Sequence, residues 1–188
     1  MDLVVFAHPR ADSLSGRALQ RIIDGARGPV VAADLYGQGF SPVLSASDFA
    51  RYGQPPNDPL VTTYQRQLAE ARSVTFVFPV WMYGLPAMLK GYFDRVWTPG
   101  ATFAFRDGVP VGLLTQVKAI NVVCSFGQER DFYGHDGDPI MLFFKQLVSQ
   151  NCEPDCTIRY EPLFGTDGVG APAVAAYLDK VAGVLARA

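Results

Sequence analysis

Cysteine, histidine and long apolar runs are all scarce in this chain, and each scarcity removes a class of protein. No uninterrupted apolar stretch approaches the ~18 residues of a membrane-crossing helix, so no integral membrane segment is expected. The opening Met1-Asp2-Leu3-Val4-Val5-Phe6-Ala7 lacks the charged start and apolar core of a secretory signal, which points to the cytoplasm. Three cysteines, an odd number in a reducing compartment, argue against a disulfide framework. Cys152-x-x-x-Cys156 has the look of half a metal site, yet no second pair accompanies it and both histidines, His8 and His135, lie elsewhere. Cys124, Cys152 and Cys156 therefore read as partly buried thiols acting as small apolar groups. The 16 basic side chains are scattered and outnumbered by 18 acidic ones, and a net charge of −2 leaves no footprint for nucleic acid or an anionic membrane. Missing as well are the G-x-G-x-x-G and P-loop phosphate motifs, and Ser125 lacks the G-x-S-x-G setting of a hydrolase nucleophile.

What is present is core. With 49% hydrophobic and 18% charged residues, a chain of 188 residues is expected to form one compact domain over 1–188. Strand-like and helix-like patterns alternate along it. Leu3 to Ala7 is a continuous apolar run, after which Leu14, Ala18, Leu19, Ile22, Ile23 and Ala26 fall at helical spacing. Val30 to Leu35 reads as a second strand, and Tyr36 to Pro59 as a connection with four Pro and three Gly, too rich in breakers for a regular element. Helical spacing returns over Leu60 to Arg72, followed by a strand at Ser73 to Pro79 and a helix at Ala87 to Val96 behind Pro86. Thr98 to Val117, rich in Gly, is either a lid over a site or a plain connection. A fourth strand at Ala119 to Cys124, a helix at Asp138 to Gln150, a strand at Thr157 to Tyr160 and a helix at Gly170 to Arg187 complete the series. Five strands alternating with helical segments predict an α/β fold, a parallel sheet covered on both faces with its ligand at the carboxyl ends of the strands.

Three segments fall at those ends. The richest runs from Phe78 to Val96, where an apolar strand enters the aromatic loop Pro79-Val80-Trp81-Met82-Tyr83 and then a helix. Such a loop makes a flat apolar slot for a planar, redox-active ring, with backbone amides for the ring edge and Trp81 and Tyr83 limiting water. A second segment, His8-Pro9-Arg10-Ala11-Asp12-Ser13-Leu14-Ser15, joins the first strand to the first helix, where Ser13, Ser15 and the free amides of the first turn suit a phosphate and His8 and Arg10 add positive charge. The third, Ser125-Phe126-Gly127 through Tyr133 and His135, follows the fourth strand, and Tyr133 and His135 are candidate proton donors. Lys90, Asp94 and Arg95 read as helix-surface pairs without chemistry.

The Phe78 to Val96 run, with its Phe-Pro, Trp, Pro-Ala, Leu-Lys-Gly and Asp-Arg-Val, resembles the flavin-dependent NAD(P)H:quinone oxidoreductases, the flavodoxin-like group that includes the ancillary flavoproteins of potassium-efflux systems. The resemblance implies a three-layer doubly wound, flavodoxin-like sheet in the order 2-1-3-4-5. It also implies that residues 79–83 lie along the flavin, that the His8 to Ser15 loop holds its phosphate, and that Ser125, Phe126 and Gly127 touch its pyrimidine ring. Leu14-Ser15 departs from the Phe-Asn of many relatives, which leaves FMN as the expected cofactor and FAD as the alternative. Implied too are a ping-pong, two-electron hydride transfer from NAD(P)H to a quinone or similar flat electrophile, and a homodimer whose sites are completed by the neighbouring subunit. Two other readings share the fold: a flavin-binding regulatory subunit of a transporter or other partner, and a flavodoxin-type electron carrier. Carriers resemble a T-x-T-G-x-T loop on a strongly acidic chain, and neither feature is present.

Overall fold

The computed structural model describes residues 1–133 and 138–187. Five parallel strands, β1 (Asp2–Phe6), β2 (Val30–Asp34), β3 (Ser73–Pro79), β6 (Ala119–Ser125) and β7 (Thr157–Leu163), form one sheet in the order β2-β1-β3-β6-β7. A separate antiparallel hairpin pairs β4 (Phe103–Arg106) with β5 (Val109–Gly112). Counting only the parallel strands, the order is 2-1-3-4-5, as the resemblance implies.

The sheet is apolar on both faces because both are covered. Leu3, Val5, Phe76 and Phe78 pack with α3 (Pro59–Glu70), α4 (Ala87–Val96) and α5 (Pro139–Phe143), whereas the alternate residues Val4, Phe6, Val77 and Val123 pack against α1 (Leu14–Asp24) and α6 (Ala171–Ala182). Chain direction across the sheet reverses between β1 and β3, so the helices leave to opposite faces there and open a crevice at the strands' carboxyl ends.

Several local readings are corrected. The connection at 36–59 contains a short helix, α2 (Ala46–Ala50), because Ser45 and Asp48 form a reciprocal capping box at its start. Residues 98–117 are held by the hairpin, whose turn places Asp107 and Gly108 at φ 52° and 78° as a tight Asp-Gly reversal requires. The single helix expected over 138–150 is instead α5 followed by a π turn at Phe144–Val148 and a 3₁₀ turn at Ser149–Asn151. β7 extends three residues beyond Tyr160, and the last helix ends at Ala182 before a 3₁₀ turn at Leu185–Arg187.

Arg95 is not a surface residue. Its guanidinium is buried, donating to Ser41 O at 2.7 Å and Asp58 Oδ2 at 2.9 Å, with Asp48 Oδ2 at 3.5 Å and the Phe40 ring 5.5 Å away. It pins the 36–59 connection to α4. Lys90 and Asp94 do form the exposed i,i+4 pair. Among the described residues no helix is long and apolar enough to cross a membrane.

Candidate active site

Three loops leave the carboxyl ends of β1, β3 and β6, and aromatic contacts join them. The His8 and Trp81 rings lie 5.7 Å apart, linking the first loop to the second. Tyr83 meets Tyr133 edge-on at 5.1 Å and stacks on Phe132 at 5.9 Å, linking the second to the third. A cavity of about 620 Å³ opens here, lined by Pro79 to Tyr83 of the second loop, by Ser125, Gly127, Gln128, Phe132 and Tyr133 of the third, and by Thr166 and Asp167.

The Trp81 to Gly84 segment is a two-residue reversal closed by Trp81 N–H to Gly84 O at 3.1 Å and Gly84 N–H to Trp81 O at 3.0 Å. Met82 and Tyr83 sit in its centre at φ 49° and 62°, a left-handed conformation that normally calls for Asn or Gly. Strain of this kind persists where the surroundings impose it and is concentrated at functional sites. It leaves large apolar groups exposed, Met82 at 96%, Tyr83 at 51% and Trp81 at 42%. Val80 N–H is spent on Ser125 O, at 2.8 Å, and Pro79 has none to give. Among the described residues the amides of Met82 and Tyr83 have no such partner, so they are the loop's available donors.

The third loop is clasped to the segment after β7. Phe126 N–H donates to Leu163 O at 2.8 Å, while its carbonyl accepts from Thr166 N–H at 3.0 Å. Its ring is buried, stacked on Phe164 at 4.3 Å and edge-on to Tyr133 at 5.0 Å. Phe126, expected to offer its amide to a ligand, therefore serves the fold, and Ser125 and Gly127 alone of that trio line the cavity. Burial raises the Tyr133 hydroxyl above its usual range, the more so beside Tyr83 and Asp167, against a hydrogen bond from the Gln128 backbone. The phenol is a proton donor at neutral pH. His135 lies outside the described residues.

The first loop stands beside the cavity and contributes none of the residues that line it. Ser13 caps α1, its Oγ accepting from Gly16 N–H at 3.0 Å. Leu14 packs into the core and Ser15 is buried. No acidic side chain occupies the first turn, so the end of the helix keeps its positive potential. The charges expected of His8 and Arg10 are corrected. Desolvation lowers the His8 pKa from 6.5, and its Nδ1 accepts from Arg10 N–H at 3.0 Å, leaving the ring neutral. Arg10 is exposed and engaged by Asp12 through two hydrogen bonds of 2.9 Å.

Gln128 and Phe132 belong to the third segment without having been singled out in it, and Thr166 and Asp167 lie outside all three segments. The last two follow the carboxyl end of β7, the position at which the general rule for such sheets places ligand contacts.

A family model described as flavodoxin-like fold matches residues 3–150. The chain is 38% identical over 115 residues to the uncharacterized NAD(P)H oxidoreductase YcaK of Escherichia coli (strain K12), a match covering 56% of this chain and 55% of that one. It is 33% identical to an uncharacterized NAD(P)H oxidoreductase of Haemophilus influenzae, covering 72% and 68%. It is also 33% identical to an FMN-dependent NADH:quinone oxidoreductase of Caldicellulosiruptor bescii, covering 63% and 61%. The aligned stretch thus spans about half to two thirds of the length of these relatives. In fold, Smu.1420 from Streptococcus mutans superposes with a TM-score of 0.86 over 100% of this chain and 99% of that one, at 20% identity. The match over residues 3–150, with a parallel sheet in the order β2-β1-β3-β6-β7, makes this chain a member of the flavodoxin-like fold family, in the company of proteins named NAD(P)H oxidoreductases.

Proposed function

We propose that the chain is a flavin-dependent NAD(P)H oxidoreductase that reduces a quinone or similar flat electrophile. The observation that carries this reading is the cavity of about 620 Å³ lined by both the strained Trp81–Gly84 reversal, with its two unspent amides, and Tyr133. Its size and apolar aromatic wall suit a planar tricyclic ring, and the neighbouring first turn of α1, which holds no acidic side chain, suits a phosphate. FMN is the proposed cofactor, in keeping with the name of the Caldicellulosiruptor relative. When bound, it supplies the two-electron chemistry of the reaction.

The chain's own residues do the rest. The amides of Leu14 and Ser15, in the first turn of α1, bind the phosphate, and the Ser13 cap holds that turn in shape. The unspent amides of Met82 and Tyr83 would hydrogen-bond the ring edge. Ser125, Gly127 and Gln128 would line the slot beside it, and Trp81 and Tyr83 would limit water there. Tyr133 holds a proton on its hydroxyl and presents it to the oxygen of the acceptor that gains charge. Nicotinamide and acceptor would enter the same slot in turn, a ping-pong order. The active form is a homodimer, for the site is open and the 36–59 and 98–117 connections expose Val43, Phe49, Tyr52, Phe105 and Val109 for a second copy. Residues 1–188 act as one flavin-binding domain in the cytoplasm.

The test is NAD(P)H oxidation by purified, FMN-supplemented protein with a quinone and no other protein. Quinone-dependent turnover giving parallel double-reciprocal lines is expected. Oxidation that does not depend on the quinone would sink the assignment.

A further inference from the structure

Two thiols that the proposed redox site does not use meet at the opposite end of the sheet, where the chain enters β7. Leu114 N–H donates to Asn151 O at 2.9 Å and Leu114 bridges Cys152, which fixes Cys152 against the segment that follows the hairpin. The chain then reverses in a β-turn, Cys156 N–H donating to Glu153 O at 2.9 Å, before Thr157 N–H bonds Lys118 O at 3.0 Å and β7 begins. Cys152 and Cys156 flank this turn, and their half-buried side chains pack against the same core cluster.

The surroundings make the two thiols unequal. The Cys152 thiol beside it, with positive potential from Lys118 and Arg159, lowers the Cys156 pKa against its burial and the charge of Asp155. Lys118 also pairs with Asp155 at 3.3 Å, drawing off part of that opposing charge. The Cys152 thiol is pushed up by the neighbouring Cys156 and by burial. Cys124, buried within β6 and raised by desolvation, is a built-in unreactive reference.

We propose that Cys156 and Cys152 form an oxidation site at which hydrogen peroxide converts the pair into an intrachain disulfide. The Cys156 thiolate attacks one peroxide oxygen; the S–O bond forms, the O–O bond breaks, and hydroxide leaves to take up the proton that Cys156 gave off, making water. Cys152 then attacks the sulfenic sulfur; the S–S bond forms, the S–O bond breaks, and the departing hydroxide leaves with the Cys152 proton as a second water. Two thiols lose two electrons and the peroxide gains them. A thiol reductant restores the pair.

Hydrogen peroxide added to the reduced full chain provides the test, with thiols counted after denaturation and intact mass measured. The expected product has lost two of its three thiols, weighs less by two hydrogens, yields a cross-linked peptide containing Cys152 and Cys156, and reverts with dithiothreitol. Cys156→Ser slows thiol loss about tenfold or more, since the thiolate fraction sets the rate. Cys152→Ser stops at a sulfenic acid that dimedone traps on Cys156. Cys156→Ala and Cys152→Ala repeat the comparison should either serine variant fail to fold. Thiol loss in Cys156→Ser at the wild-type rate, or a wild-type product linked between chains, would overturn the assignment.

Discussion

The imidazole of His8 and the indole of Trp81 face each other with centroids 5.7 Å apart and planes tilted by 60°, so the loops that leave β1 and β3 touch through their side chains. This contact makes the proposed phosphate cradle and the aromatic slot two ends of one site. It also takes His8 partly out of water, and desolvation is the largest cause of its lowered pKa.

That shift has a signed consequence for stability. The unfolded histidine titrates near 6.5 and the folded one below it, so on acidification the unfolded chain takes up the proton first. Stability is expected to fall as pH drops through 6.5 toward the folded value, with no contribution above 6.5. Urea midpoints at about pH 7.5 and 5.5, on either side of the unfolded value, should separate more for wild type than for His8→Gln. Equal separations would contradict the account.

Tyr133→Phe removes the proposed proton donor while keeping the ring that packs on Tyr83 and Phe126. Turnover with a quinone should drop about tenfold, ~1.4 kcal/mol of barrier, with flavin affinity unchanged. Because the folded hydroxyl titrates above 10.0, its alkaline limb belongs above that pH, and Tyr133→Phe should lack it. Steady-state pH profiles of both proteins decide the matter.

Relief of the strained reversal should trade function for stability. Met82, at φ 49° and almost wholly exposed, occupies a position that Asn favours. Met82→Asn is expected to stabilise the flavin-free chain by about 0.5–1 kcal/mol, read as a higher urea midpoint. A lower midpoint would show that the left-handed backbone is not a source of strain.

The fold was legible where period and punctuation agreed. β3 and α4 occupy the residues expected of them, because a β-branched and aromatic run ends at Pro79 and helical spacing resumes behind Pro86. The α2 helix was not, although Ser45 and Asp48 carry the capping-box spacing, since its Pro- and Gly-rich surroundings outweighed five residues of pattern. The Asp107-Gly108 hairpin signal was present and went unused. At the site, the loops after β1, β3 and β6 were recognisable from their place after strands. The burial of Arg95, the spent amide of Phe126, and the arrival of Thr166 and Asp167 at the cavity are long-range outcomes that no local window contains.

Two packing predictions follow from α4. A methyl added at Gly91 meets Pro42 O at 2.2 Å and Pro42 Cα at 2.4 Å, both backbone, so Gly91→Ala should destabilise the chain by about 2–3 kcal/mol. Arg95→Met strands Asp48 and Asp58. As both aspartates keep access to water, a loss of about 2 kcal/mol is expected, below the range for fully buried pairs. Denaturant unfolding measures both, and near-neutral effects would refute the pinning role given to this helix face.

The central claim is tested most directly by anaerobic spectroscopy of the FMN-loaded protein. The account predicts that NAD(P)H bleaches the visible flavin bands, that a stoichiometric quinone restores them, and that Trp81→Ala weakens FMN retention. A chain that binds no FMN, or whose bound FMN stays oxidised in excess NAD(P)H, would contradict it.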